Sequence, residues 1–302
     1  MYFDGVYIGG MTLQQLRYLT AVADAHSFAQ AAQACGVTQP TLSAMLAKLE
    51  RELGAELFDR RRKPVQATEL GQAVVARARR VLAEAAAIPA LVQELREETA
   101  GDLRVGILPT IAPYLLPLLA PVFTARHPEV RLVVRELKTA EIAQQLSTGQ
   151  LDLGIAATPH VALDDLPHDT LFSEAFYAFA KTPPAKPYLL PEDIDPDELW
   201  VLEEGHCFGD QVLALCELSR AHHAMSYASG SIDTLKRLVE AQGGVTVLPE
   251  LALRTLGEGE MARVRPFAEP VPRREVGLVW REGFVRRRVA GLLRGVVREV
   301  VR

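Results

Sequence analysis

The sequence predicts an all-α winged helix-turn-helix domain at the N-terminus, a long linking helix, and a C-terminal α/β domain built of two lobes. Three features carry that reading. Two short capped helices are joined by the tight turn Cys35-Gly36-Val37-Thr38, which is the helix-turn-helix pattern. A long stripe of Ala, Leu and Val at helical spacing follows it. From Asp102 strands alternate with helices, which implies a parallel sheet with right-handed crossovers.

The opening residues, MYFDGVYIGG, lack a basic start followed by a long apolar run, so they do not read as a secretory signal. Residues 1–10 are expected to be a flexible extension, and residues 11–69 the first domain. Thr12 with Gln15 makes a capping box ahead of Leu13, Leu16, Leu19 and Val22, which share one helix face. Ser27 with Gln30 repeats the start signal for a helix carrying Phe28, Ala31 and Ala32. Thr38 caps a third helix over residues 39–53, with Pro40 in its first turn, where a missing N–H is harmless. Over residues 55–69, Leu57 and Phe58 anchor a hairpin. Its tip is Arg60-Arg61-Arg62-Lys63 with Pro64, and Val65 to Thr68 form the return strand. Residues 70–98 read as one helix with Val74, Ala78, Val81, Ile88, Leu91 and Leu95 among its apolar positions, a stripe long enough for a dimerisation seam. Pro89 should kink it or sit at an exposed turn.

Residues 101–302 form the α/β domain. Strands at 103–108, 130–135 and 151–156 alternate with helices at 113–126 and 139–147. Thr139 ahead of Ala140-Glu141-Ile142 reads as an N-cap. Ser231 caps a helix closed by Gly243-Gly244, a strand covers 245–248, and a late strand at 276–280 precedes a basic C-terminal helix. The chain should cross between lobes near Ser173 and return near Arg274. Lobe I is then about 101–173 with 275–302, and lobe II about 174–274.

A chain of 302 residues has room for two or three domains with their own cores. With 49% hydrophobic and 24% charged residues and no apolar run of about 18 residues, a cytoplasmic globular protein without a membrane span is expected. The net charge of -5 repels nucleic acid overall, so any contact with it must come from a local basic patch, and residues 60–63 are that patch. The three cysteines, Cys35, Cys207 and Cys216, show no metal-ligand spacing and fit a reducing compartment. Neither metal nor cofactor is expected. Cys35, among small apolar residues, reads as buried core.

The segments Phe28-Ala29-Gln30-Ala31-Ala32, Thr38-Gln39-Pro40-Thr41-Leu42-Ser43, Lys48-Leu49-Glu50, Glu52-Leu53-Gly54 and Leu57-Phe58-Asp59-Arg60 resemble the DNA-binding signature of the LysR-type transcriptional regulators. The resemblance covers nearly the whole chain from Met11. It implies a periplasmic-binding-protein-like regulatory domain, a homodimer or dimer of dimers on double-stranded operator DNA, RNA polymerase as a partner, and no enzymatic role. Gly205-His206-Cys207-Phe208-Gly209-Asp210-Gln211 followed by Cys216 is similar to the sensor segment of the hydrogen-peroxide-sensing members. Pro109-Thr110, Pro113-Tyr114-Leu115-Leu116-Pro117 and Gly277-Leu278-Val279-Trp280-Arg281 also resemble those members. That likeness implies control of antioxidant genes through oxidation of Cys207 by hydrogen peroxide, with cellular thiol reductants restoring the thiol.

On this reading the third helix lies in the major groove. Gln39 pairs with adenine, Thr41 and Ser43 reach bases or phosphates, and Pro40 offers an apolar contact. Thr38 serves mainly as the cap, while Lys48, Arg60, Arg61, Arg62 and Lys63 meet phosphates.

A sensor thiol must ionise to react. His206 can assist, whereas Glu203, Glu204 and Asp210 oppose ionisation. Gly209 stands where the peroxide-sensing members often carry a basic residue. The resemblance therefore points to Arg281 as the compensating cation, and to Thr110 and Thr139 as residues that orient the peroxide. Nine residues of helix span about 13.5 Å, far beyond the roughly 7 Å a disulfide allows between Cα atoms. Any helix between Cys207 and Cys216 must therefore unwind for them to bridge. Two alternatives stay open: Cys216 as a buried apolar position, with Cys207 working alone, and a family member that binds a small organic effector between its lobes. A thiol peroxidase would leave the DNA-binding half without a role.

Overall fold

The computed structural model describes residues 11–96, 99–202, 208–209, 211–212 and 231–302. The chain divides into two compact units, one running to Leu91 and including Ser147–Gln150, the other comprising Val92–Leu146 and Leu151–Arg302.

In the first unit, α1 (Leu13–Ala25), α2 (Phe28–Ala34) and α3 (Gln39–Leu53) pack around a shared apolar core that includes Leu19, Val22, Leu42 and Leu46. The start signals act as the sequence suggests. The Thr12 hydroxyl accepts from the Gln15 amide at 3.2 Å, and the Gln15 side chain accepts from the Thr12 amide at 2.8 Å. Ser27 and Thr38 cap α2 and α3. Gly54 ends α3 at φ +66°, a left-handed position that glycine adopts without cost. The hairpin forms with β1 (Phe58–Asp59) antiparallel to β2 (Gln66–Ala67). Cys35 departs from expectation. It caps α2 at the start of the turn and is only half-buried.

The helix α4 (Glu69–Leu95) runs through Pro89 without a break. Pro89 is exposed, so it removes one backbone bond on the wet side of the helix. Val74, Val75, Ala78 and Leu82 pack on the first core, whereas Val81, Ile88, Leu91, Val92 and Leu95 are exposed.

In the second unit, eight strands among the described residues form one curled mixed sheet. Its parallel part is β3 (Gly101–Ile107), β4 (Val130–Glu136) and β5 (Leu153–Thr158), with β3 in the middle. The crossovers are α5 (Ala112–Arg126) and α6 (Thr139–Ser147). The longest strand, β6 (His168–Ala180), escaped the sequence reading. Its first half pairs with β10 (Arg273–Val279) and its second half with β8 (Val245–Pro249) and β9 (Val264–Pro266). β7 (Leu199–Trp200) adds the far edge. One apolar core surrounds β3, β5 and the C-terminal helix. A second surrounds β8 and α7 (Ile232–Gln242). Two strands, β6 and β10, join them. The short helices α8 (Glu250–Leu253) and α9 (Glu258–Met261) follow β8. The basic C-terminal helix, α10 (Arg287–Val300), ties two of its cations to the start of β6. Arg294 bonds Asp169, and Arg298 donates to the Thr170 carbonyl.

Candidate functional site

Two sites emerge, one in each unit. In the first, Leu42, Leu46 and Leu49 bury one face of α3 completely. The opposite face therefore presents Gln39, Pro40, Thr41 and Lys48 to solvent, with Ser43 half-buried at its margin. The Thr38 and Thr41 hydroxyls lie 2.8 Å apart, so Thr41 helps hold the cap as well as facing outward. Ala44 shares this exposed face. The sequence reading missed it, although it stands one helical turn beyond Thr41.

The basic patch at the hairpin is less uniform than its sequence suggests. Arg60 pairs with Glu50 at 2.7 Å and lies over the Phe28 ring, 5.1 Å from its centroid. The other Glu50 oxygen accepts from the Leu57 amide at 2.9 Å. Arg60 thus fastens the hairpin to the helices. Arg62 reaches Asp59 at 3.3 Å and Gln66 at 2.8 Å, bracing the hairpin from within. Lys48 sits 3.7 Å from Glu52. Arg61 and Lys63 are exposed at the tip.

The second site lies at the C-terminal edge of the parallel strands. Ile107 and Glu136 are in register on β3 and β4. Thr110 and Thr139 each stand three residues beyond the strand ends, Thr110 in the turn before α5 and Thr139 as the first residue of α6. Both are buried. Among the described residues the Thr139 hydroxyl has no hydrogen-bond partner, and it is not a cap. The Glu141 carboxylate instead accepts from the Lys138 amide at 2.9 Å. Thr110 is held by an arginine that the sequence reading passed over, Arg274. It donates to the Thr110 hydroxyl at 3.0 Å and to the Thr110 carbonyl at 3.1 Å. It also donates to Glu174 at 2.8 Å, with both side chains buried. The second Glu174 oxygen accepts from the Leu251 amide at 3.1 Å.

Arg281, the cation expected here, is elsewhere. It follows the far end of β10, whose Glu275 lies opposite Thr158 while Val279 lies opposite Gly154. Five residues of strand carry β10 from Arg274 to Val279, about 17 Å, and Arg281 lies two residues beyond that end. Cys207, His206 and Cys216 lie outside the described residues. Their neighbour Phe208 is buried, with its ring beneath the Arg274 guanidinium at 4.9 Å and edge-on to Phe176 at 5.2 Å. A Cβ on Gly209 would sit 2.7 Å from the Leu202 carbonyl oxygen. A larger residue at 209, basic ones included, would therefore displace the backbone.

Tyr114 completes the site. Its neighbour Leu115 packs in the first core, but Tyr114 itself packs in the second, the core that also holds Phe208. Its hydroxyl donates to Asp233, at the start of α7, at 3.3 Å. Burial, reinforced by the Asp233 charge, pushes the phenol well above its ordinary range.

A winged helix-turn-helix reader, a long helix and a two-lobed domain with a polar site between its cores define a ligand- or signal-responsive DNA-binding regulator. Comparison with known families makes this specific. The bacterial regulatory helix-turn-helix model of the lysR family matches residues 13–72, and the LysR substrate binding domain model matches residues 96–302. The chain belongs to the LysR family.

It is 34% identical over 278 residues to the hydrogen peroxide-inducible genes activator of Haemophilus influenzae, covering 90% of this chain and 91% of that one. It is equally similar, at 34% over 90% of each chain, to the DNA-binding transcriptional dual regulator OxyR of Escherichia coli. A full-length OxyR mutant from Pseudomonas aeruginosa superposes with a TM-score of 0.80 at 37% identity, over 96% of this chain and 98% of that one. A hydrogen-peroxide-bound OxyR mutant from Corynebacterium glutamicum gives 0.62 at 26% identity, over 97% and 93%. Among the described residues no helix is long and apolar enough to cross a membrane.

Proposed function

We propose that this protein is a transcriptional regulator that senses hydrogen peroxide at Cys207 and changes its contacts with operator DNA in response. The observation that carries the reading is the Arg274 cluster. A buried guanidinium grips Thr110 and Glu174 and lies over the ring of Phe208, the residue after Cys207. Phe208 follows Cys207 directly in the chain, and a cation brought beside a thiol favours its ionised form. Arg274 therefore takes the role that resemblance assigned to Arg281.

The Thr110 hydroxyl accepts from Arg274, which leaves its own hydrogen free to donate to a peroxide oxygen. The Thr139 hydroxyl, unpartnered, can bond the other oxygen. The Cys207 thiolate attacks one oxygen, an S–O bond forms, the O–O bond breaks, and hydroxide leaves, neutralised in solvent by the proton the thiol gave up on ionising. Attack by the Cys216 thiolate on the sulfenic sulfur then expels a second hydroxide and closes a disulfide. Thiol reductants reverse the bridge.

On the DNA side, Gln39, Pro40, Thr41 and Ser43 read bases, while Arg61 and Lys63 meet phosphates. The exposed positions Val81, Ile88, Val92 and Leu95 alternate at spacings of seven, four and three, a seam suited to pairing two copies. A dimer of dimers and contact with RNA polymerase follow from the same family reading.

Two measurements on the full-length protein test it. Peptide mapping after peroxide should show a linkage between Cys207 and Cys216 at a cost of two hydrogens. A lasting sulfenic adduct on Cys207 with free Cys216 would replace the bridge with a one-cysteine mechanism. Footprinting on its own upstream DNA should differ between reduced and peroxide-treated protein, and identical footprints would overturn the sensing role.

A further inference from the structure

The Arg274 guanidinium is flat, and its N–H groups point outward in one plane toward Thr110 and Glu174. Its faces carry no donors. With the side chain fully buried, water cannot cover them. One face is covered by the Phe208 ring, whose π-cloud supplies a negative surface where the Glu174 carboxylate, bonded at the guanidinium edge, does not. Phe208 is itself held edge-on by Phe176, with ring planes at 77°. On its C-terminal side, Gly209 lies hard against the Leu202 carbonyl. The ring is therefore fixed from two directions, and the backbone that carries it also carries Cys207.

We infer that Phe208 is a positioning residue for the sensor. Its ring holds Arg274 flat in the site, and the reactivity of Cys207 depends on an aromatic side chain at position 208. Leucine fills much of the same space but offers no negative face. The inference rests on the reading of Arg274 as the cation beside Cys207, and it deepens that reading by naming what holds the cation.

The test uses the full-length chain with Phe208→Leu and Phe208→Trp. Phe208→Met stands in should the leucine variant fail to fold. Two rates are read on the Cys207 peptide by mass spectrometry: loss of thiol to hydrogen peroxide, and alkylation by iodoacetamide. Phe208→Leu should slow both about three- to tenfold, and Phe208→Trp should keep both near the parent's. In a background where the buried pair is replaced, Glu174→Met with Arg274→Met, Phe208→Leu should have no further effect, because the residue it acts through is gone.

Parent-like rates in a folded Phe208→Leu protein overturn the inference. So does an equal slowing in the doubly substituted background, which would mean that the ring acts by packing alone. If alkylation follows the expected pattern while peroxide leaves the DNA footprint unchanged, the inference stands and the sensing role falls.

Discussion

Replacing Glu174 with glutamine tests the centre of the regulatory domain. The carboxylate is 3% exposed at its side chain and its partner Arg274 is 0% exposed. The substitution keeps the shape but leaves the arginine charge buried beside a neutral amide. It also leaves one amide end of the new side chain unmatched near Arg274 or Leu251. Breaking a buried pair by removing one partner costs about 3–5 kcal/mol. An exposed pair such as Arg131–Asp102 is screened by water and is no guide to that cost. At the lower figure, the midpoint of thermal unfolding should fall by roughly 6–12 °C for a domain of this size. The two tryptophans of the chain, Trp200 and Trp280, both lie in this domain. Fluorescence therefore reports it without interference from the DNA-binding half. Each belongs to a different core, so Trp200→Phe and Trp280→Phe versions show whether both lobes loosen. The paired replacement, Glu174→Met with Arg274→Met, should lie within about 1–2 kcal/mol of the parent, because it removes both charges together. It should nonetheless lose the fast reaction at Cys207. A glutamine variant within 1 kcal/mol of the parent would refute the reasoning.

Arg61→Ala should weaken binding to all DNA sequences alike and lower the salt slope of log K by about one unit, measured by fluorescence anisotropy over a salt series. Arg60→Ala should instead lower the melting temperature of the DNA-binding domain, because Arg60 is committed to Glu50 and Phe28. Its loss is about 1 kcal/mol, and an unchanged melt would mean that Arg60 is free for phosphate. Gln39→Ala should cost about 1–3 kcal/mol at one base pair, seen as relaxed preference in competition with single-base operator variants. Ile88→Glu on the exposed seam of α4 should lower self-association in sedimentation without moving the tryptophan melt, and an unaltered oligomer would exclude the seam.

The DNA-binding half was legible because its determinants are local. Thr12, Ser27 and Thr38 bond amides three residues away, and the apolar repeats need only their own helix. The regulatory half was legible only where strands alternate with helices. The long strand β6 escaped because it changes partners midway and is buried on both faces over its second half, so it shows no alternation. It also carries a buried carboxylate, Glu174, where the pattern of a strand interior predicts an apolar residue. Arg274 was missed for the same reason. Its partners lie 100 and 164 residues away, and no spacing rule reaches that far. Arg281 drew attention because it closes a recognisable segment, but strand direction carries it to the opposite end of β10. The basic hairpin misled in a milder way, since a run of cations does not reveal which of them a nearby carboxylate already holds.

The placement of Arg274 and Glu174 also bears on how a chemical event could be transmitted. They face each other where β6 and β10 pair, Arg274 opposite Glu174. Those strands are the two that join the cores. Their side chains reach to opposite sides of the junction, Arg274 to Thr110 on the β3 side and Glu174 to the start of α8 on the β8 side. A change at position 207 that moves the Phe208 ring therefore acts on the residue pair that spans both lobes. The Tyr114–Asp233 bond makes a second link, from α5, whose Leu115 packs in the first core, to α7 on the second, but it is longer and reaches an exposed carboxylate. Packed interfaces switch between discrete arrangements and do not deform continuously, so a small shift at one contact can be amplified. The buried pair has the geometry to resist, and the tyrosine link has the exposure to yield. Tyr114→Phe should accordingly leave the rate of Cys207 oxidation unchanged while lowering the peroxide dose at which the footprint switches. A dose response identical to the parent's would mean that the Tyr114 link plays no part in the switch.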